Sequence, residues 1–341
     1  MQYYPTAKEL LITARHKVSR DKILVLVGGS SIFRGVGQNQ DELWTNELQK
    51  QLGDEYKVLN YANDSATFTS FGAVAFRMLI EEYPKIIFVS STEWATSEAD
   101  GIDPYKYIYW DAYYKNLFHP DKIEMKEIRA LRKKQIFTAV GAEQHIVSYL
   151  DSWFYFKNLW NWVGYRFVFS VWDRYVFADP FVAKRRYHDV DLDFKKLKIE
   201  SDKSHAELGP VAKIIAQGLI DAVDLPSNKF KKVPLEGVIL SYENAFSPRY
   251  RSNILCVVTT YNPKYVGVFP DKSKQAYKIV LNQSHAIKES LGYHSMIVKS
   301  PPADSYQDLQ HLLAPGGKLM ATQIAPKIKE IAVAKHYIKS T

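Results

Sequence analysis

The stretch Ile23-Leu24-Val25-Leu26-Val27-Gly28-Gly29-Ser30-Ser31 decides the fold. Five consecutive apolar residues suit a strand covered on both faces, as in the interior of a parallel sheet. Gly28 and Gly29 then permit backbone angles that a side chain would forbid, so a serine can stand exposed at the carboxyl edge of that sheet. Downstream, Asp41 and Glu42 suit a first helical turn, Leu43, Trp44, Leu48 and Leu52 recur with helical spacing, and Gly53 supplies a stop. Strand, glycine turn, serine, helix is the order that a nucleophile turn requires.

Further apolar runs extend the pattern. Tyr56-Lys57-Val58-Leu59 reads as a short strand, Ile86-Ile87-Phe88-Val89 after Pro84 as a third, and Ile254-Leu255-Cys256-Val257-Val258-Thr259 and Ser295-Met296-Ile297-Val298 as two more. Strands alternating with helices predict an α/β fold with one parallel sheet. At 341 residues the chain exceeds one minimal three-layer domain by roughly 100 to 150 residues. We therefore expect a single domain over 1–341 whose sheet core spans about 20–98 and 235–335, with an insertion over 101–228. Pro226-Ser227-Asn228 and the lysines after it read as the surface connection that returns the chain to the sheet.

Near the other end, Asp308-Leu309-Gln310-His311 precedes Pro315-Gly316-Gly317. Side chains three apart point the same way on a helical turn or in a tight loop. The Asp308 carboxylate can thus hold one tautomer of His311 while the other ring nitrogen faces a serine. Serine, imidazole and carboxylate are the minimum equipment for serine acyl transfer. Taken singly, Gly-Gly-Ser is common in ordinary loops, and an Asp three before a His is common on helix turns. The functional reading needs the two ends to meet, with Pro301-Pro302-Ala303-Asp304 as the loop from which Asp308 and His311 reach back.

Together these blocks resemble the SGNH, or GDSL-type, hydrolases and acyltransferases. The stretch His311-Leu312-Leu313-Ala314-Pro315-Gly316-Gly317-Lys318-Leu319-Met320-Ala321 looks like that family's last block, and residues 28–35 look like its first, in the Gly-Gly-Ser form of envelope-associated members. The resemblance implies a three-layer α/β/α, flavodoxin-like fold, with Ser30 as nucleophile, His311 as base and Asp308 as its orienter. Ser31 is the alternative nucleophile, because counting back from Gly35 permits either register. In Asn60-Tyr61-Ala62-Asn63-Asp64-Ser65-Ala66, Ser65 stands where the family places an oxyanion-hole glycine, and its N–H can still donate. Ser90-Ser91-Thr92-Glu93-Trp94 stands where the family has Gly-x-Asn-Asp, with Glu93 near the place of the asparagine. An ionised carboxylate cannot donate to an oxyanion, so this block departs from the pattern, although an acidic-aromatic pair here is similar to some envelope-associated relatives.

The resemblance implies an esterase or O-acyltransferase working through an acyl-serine, with an acyl ester as donor and water or a cell-envelope glycan as acceptor, or a lipid-like ester as substrate. It also implies an extracytoplasmic location with an N-terminal anchor ahead of this chain, a cytoplasmic one remaining open. The rival reading, favoured by Ser65 and Glu93, is a noncatalytic scaffold or membrane-surface binding protein that has kept the fold.

Composition bounds the remaining classes. Lys and Arg number 45 against 37 Asp and Glu, a net charge of +8, with clusters at Arg129, Arg132, Lys133, Lys134, at Lys184, Arg185, Arg186, and at Lys195, Lys196, Lys198. Such clusters are solvated faces or approach anionic headgroups; without a helix-turn-helix, zinc-finger or RNP pattern, no nucleic-acid partner is expected. Cys256 is the single cysteine, which excludes an intrachain disulfide and a cysteine-based metal cluster. The histidines lack paired metal-ligand spacing, and neither a Walker loop nor Gly-x-Gly-x-x-Gly occurs, so no cofactor is expected. Between residues 149 and 181 lie fourteen aromatics, Trp153, Trp160, Trp162 and Trp172 among them, interrupted by charges. That stretch is too polar to span a membrane, and three readings stay open: helical core packing, a lid forming an apolar pocket over the serine, or a face at the membrane interface.

Overall fold

The first apolar run forms β1, Ile23–Gly28, buried along its whole length. It pairs in parallel with β2, Tyr56–Asn60, on one side and with β3, Ile86–Thr92, on the other. Beyond β3 follow β4, Ile254–Val258, and β5, His294–Ile297, also parallel. The spatial order is β2-β1-β3-β4-β5, a doubly wound sheet whose strand order reverses at β1. The structure is a computed structural model and describes residues 6–63, 66, 68–69, 71–92, 107–122, 125–126, 129 and 205–338.

The helices, in chain order, are α1 (Ala7–Lys17), α2 (Ser31–Arg34), α3 (Trp44–Leu52), α4 (Phe71–Leu79), α5 (Tyr107–Tyr114), α6 (His205–Ala222), α7 (Lys232–Ala245), α8 (Pro248–Arg251), α9 (Pro263–Gly267), α10 (Asp271–Ser290) and α11 (Ala314–Ala334). The period of two along each strand sends alternate side chains to opposite faces. Leu24, Leu26, Ile86, Phe88, Ile254 and Cys256 join one core with α1, α4, α5, α6 and α10. Val25, Val27, Ile87, Val89, Leu255 and Val257 join the other, with α3 and α11. Both faces are therefore covered, which is why the inner strands β1, β3 and β4 carry unbroken apolar runs and not alternation. This is a three-layer α/β arrangement.

Several local features differ from the sequence expectation. Asp41 and Glu42 lie in a separate 3-10 turn, Gln40–Glu42, and α3 begins only at Trp44. The cause is Gln38, whose Oε1 accepts the Trp44 N–H at 2.7 Å and satisfies a donor that the helix start leaves open. Pro226, Ser227 and Asn228 form the tip of a small antiparallel ribbon, Val223–Asp224 with Lys229–Phe230, with Asn228 at φ 53°. Within the stretch expected as an insertion, the described ends belong to the first core: Ile108, Tyr109 and Ala112 of α5, and Leu208, Ala212 and Leu219 of α6. The aromatic stretch over 149–181 and the basic clusters over 132–198 lie outside the described residues. No described helix is long and apolar enough to cross a membrane.

Candidate active site

At the carboxyl end of β1 the chain leaves the sheet through Gly29, held at φ +95°, a conformation that costs a side-chain-bearing residue about 1–3 kcal/mol. Ser30 follows in an extended conformation at the N-cap position of α2, its side chain making no cap hydrogen bond. Its N–H donates to Ser91 Oγ at 3.2 Å, and its own Oγ lies 3.4 Å from that same oxygen. Ser30 is thus turned toward the end of β3. Ser31, the first residue of α2, meets a different partner: its Oγ lies 2.8 Å from His311 Nε2. The hydroxyl that faces the imidazole belongs to Ser31 and not to Ser30, the residue placed first by the sequence. The reason is where the helix starts: once Ser91 has taken the Ser30 N–H, the following residue opens the turn toward the C-terminal loop.

That loop is not helical. A bridge between Tyr306 and Leu312 closes it, with Gln307 N–H donating to His311 O at 2.8 Å and Leu313 N–H to Ser305 O at 2.9 Å. Within it Asp308 Oδ1 accepts the N–H groups of Gln310 at 3.0 Å and His311 at 2.9 Å, while Asp308 Oδ2 lies 2.7 Å from His311 Nδ1. The His311 and Asp308 side chains keep 16% and 15% of their surface exposed. Burial pushes the Asp308 carboxyl up, but the His311 imidazole and the two backbone donors outweigh it and hold the group well below the usual carboxylate range. An ionised carboxylate only accepts, so this contact assigns a proton to Nδ1, and in the neutral ring the Nε2 lone pair then faces the Ser31 hydroxyl.

The loop is braced from the α2–α3 side. Gln38 is buried and donates from Nε2 to Leu312 O at 3.1 Å. At Gly317 a Cβ would lie 2.6 Å from Gln38 Nε2, so the second glycine of Pro315-Gly316-Gly317 is what lets α11 approach this amide. Ser91 and Gln38 were given no role from the sequence. The signal for Ser91 was a polar triplet, Ser90-Ser91-Thr92, at the end of a strand buried throughout; for Gln38 there was none beyond its nearness to Gly37.

Of the two backbone donors expected to hold an oxyanion, at Ser30 and Ser65, the Ser30 N–H is committed to Ser91; the Ser31 N–H, given no such role from the sequence, meets no acceptor among the described residues. Ser65 and Glu93 lie outside the described residues. Cys256, in β4, is fully buried, and its thiol is pushed up to about 12 by desolvation, so it is a packed neutral group. Compared with models of known protein families the chain matches none, and none of the curated proteins compared with it matches either.

Proposed function

We propose that the protein is a serine acyl-transfer enzyme of the SGNH type, in which Ser31 is the nucleophile, His311 the general base and Asp308 its orienter. The observation that carries this reading is the continuous chain of contacts, Ser31 Oγ to His311 Nε2 at 2.8 Å and His311 Nδ1 to Asp308 at 2.7 Å. It sits at the carboxyl end of β1, where the strand order reverses and where doubly wound sheets build their sites. The noncatalytic reading would be favoured by hydroxyl and imidazole lying apart; a distance within hydrogen-bond reach supports the enzyme.

In the first half-reaction His311 Nε2 takes the Ser31 proton as Oγ bonds to the carbonyl carbon of an ester, and the Ser31 N–H stabilises the oxyanion. The ester C–O bond then breaks, the imidazolium returns its proton to the departing alcohol, and acyl-Ser31 remains. In the second half, water or a sugar hydroxyl gives its proton to His311 and bonds to the acyl carbon; the bond from that carbon to Ser31 Oγ breaks, and the imidazolium returns the proton to Oγ, freeing the serine. With Ser31 as nucleophile the first block reads Gly29-Ser30-Ser31, and an envelope setting, with a glycan or water as acceptor outside the cytoplasm, rests on the family resemblance of the first and last blocks alone. Turnover of p-nitrophenyl acetate tests the chemistry. Ser31→Ala and His311→Ala should each lose about 10³-fold or more, while Ser30→Ala stays within about tenfold of wild type. Equal turnover by all of these proteins would refute the assignment.

A further inference from the structure

A second buried amide holds the acid–base loop at carbonyls other than the one that Gln38 reaches. Asn262, four residues beyond β4, is completely buried. Its N–H donates to Leu309 O at 2.8 Å, and its Nδ2 donates to Asp308 O at 3.2 Å and to Ala303 O at 3.4 Å. Its Oδ1 accepts the Lys264 N–H at 2.9 Å and caps α9. These partners fix the amide unambiguously: a backbone N–H can only donate and two carbonyls can only accept, so oxygen must face Lys264 and nitrogen the loop. One side chain therefore spans from Ala303 to Asp308, the segment that delivers the carboxylate to His311. Asp308 in turn fixes the ring that meets Ser31.

We infer that Asn262 is a positioning residue of the acid–base loop, acting on Ser31 through Asp308 and His311 without touching the reacting atoms. The inference rests on the acyl-transfer reading for its kinetic consequence, but its structural consequence is independent of it. Asn262→Asp is the discriminating substitution. An aspartate keeps the shape and remains a good helix cap, so α9 is still started, but it loses the two donors and sets a carboxylate against the carbonyls of Asp308 and Ala303. A displacement of reacting groups by about 1 Å costs on the order of 10²-fold in rate.

Two measurements on the full chain test this. The first is the rate of reaction with a fluorophosphonate, expected to fall by about 10- to 100-fold in Asn262→Asp, well below its unfolding temperature. The second is the proton NMR signal of the His311 Nδ1–H, which a short bond to a carboxylate moves far downfield. It should shift or broaden in the variant, which a residue that merely stabilises α9 would not cause. A wild-type protein inert to the fluorophosphonate, yet with a downfield signal that moves in Asn262→Asp, overturns the acyl-transfer reading and supports the positioning role. An unchanged signal with an unchanged rate overturns the positioning role and leaves the chemistry standing. Asn262→Ser, which keeps a capping oxygen and adds no charge, gives the same readouts if the aspartate prevents folding.

Discussion

Replacing Gly29 by alanine tests how the nucleophile turn is made. At φ +95° an alanine pays about 1–3 kcal/mol in backbone strain. Its Cβ would also overlap the Ser91 hydroxyl and lie 2.9 Å from Ser90 Oγ and 3.0 Å from Ser91 N. The Ser91 hydroxyl can yield only by releasing the Ser30 N–H, a bond of about 1 kcal/mol, and forcing atoms into a packed site typically costs about 1–3 kcal/mol. Because the clash and the lost bond are one event, the effects overlap, and we expect Gly29→Ala to destabilise by about 3–5 kcal/mol. The double variant Gly29→Ala with Ser91→Ala removes the obstructing oxygen, so it should lose about 1–2 kcal/mol less than the sum of the single changes. Urea denaturation of the four proteins measures this coupling, and p-nitrophenyl acetate turnover should fall in step with it. Stability within about 0.5 kcal/mol of wild type for Gly29→Ala, or strict additivity in the cycle, would refute the argument that Ser91 shapes the turn.

Two further outcomes follow from buried charge. Lys288 of α10 is fully buried beside Ser284 and 4.9 Å from the centroid of the Tyr242 ring, and burial pushes its ammonium down from 10.5 to about 8, with Cys256 acting weakly the other way. The cost of charging it is complete below about pH 8, shrinks as the folded state sheds its proton first, and vanishes above 10.5. That interval corresponds to about 3 kcal/mol, reduced by the contact with Tyr242. Lys288→Met should therefore gain about 1–3 kcal/mol at pH 7 and little near pH 10.5; an equal effect at both, measured by chemical denaturation, contradicts this. The depressed Asp308 carboxyl has the other sign of consequence. Its stabilising contribution is complete above its ordinary value of 3.8 and is lost as pH falls below that. Asp308→Asn should flatten the acid limb of stability below pH 4 and slow acylation by about 10³- to 10⁴-fold; an unaltered acid limb would argue against a paired carboxylate.

The sheet was legible in the chain because a strand buried on both faces is predominantly apolar, as Ile23 to Val27 and Ile254 to Val258 are throughout. The meeting of Ser31 with a loop 280 residues away could be anticipated because only a few residue types, in a set spacing, can perform acyl transfer. Which serine meets the loop could not be read. Adjacent side chains diverge, and the choice depends on a hydroxyl 61 residues away, Ser91, capturing the Ser30 N–H. The bracing amides were hidden for a similar reason: Asn262 before Pro263 reads as an ordinary turn residue, and Gln38 as a loop residue, until tertiary structure brings carbonyls to them. Asp41 and Glu42 looked helical because helix starts favour acids, yet the Gln38 side chain moved the start to Trp44.

The central claim is that the Ser31 hydroxyl is the one activated by His311. Treating the folded protein with a fluorophosphonate at neutral pH and mapping the adduct by peptide mass spectrometry reads this at single-residue resolution. The account predicts a stoichiometric adduct on Ser31 that His311→Ala abolishes, with Ser30 unmodified. An adduct on Ser30, or none on either serine in a protein shown to be folded, would contradict it.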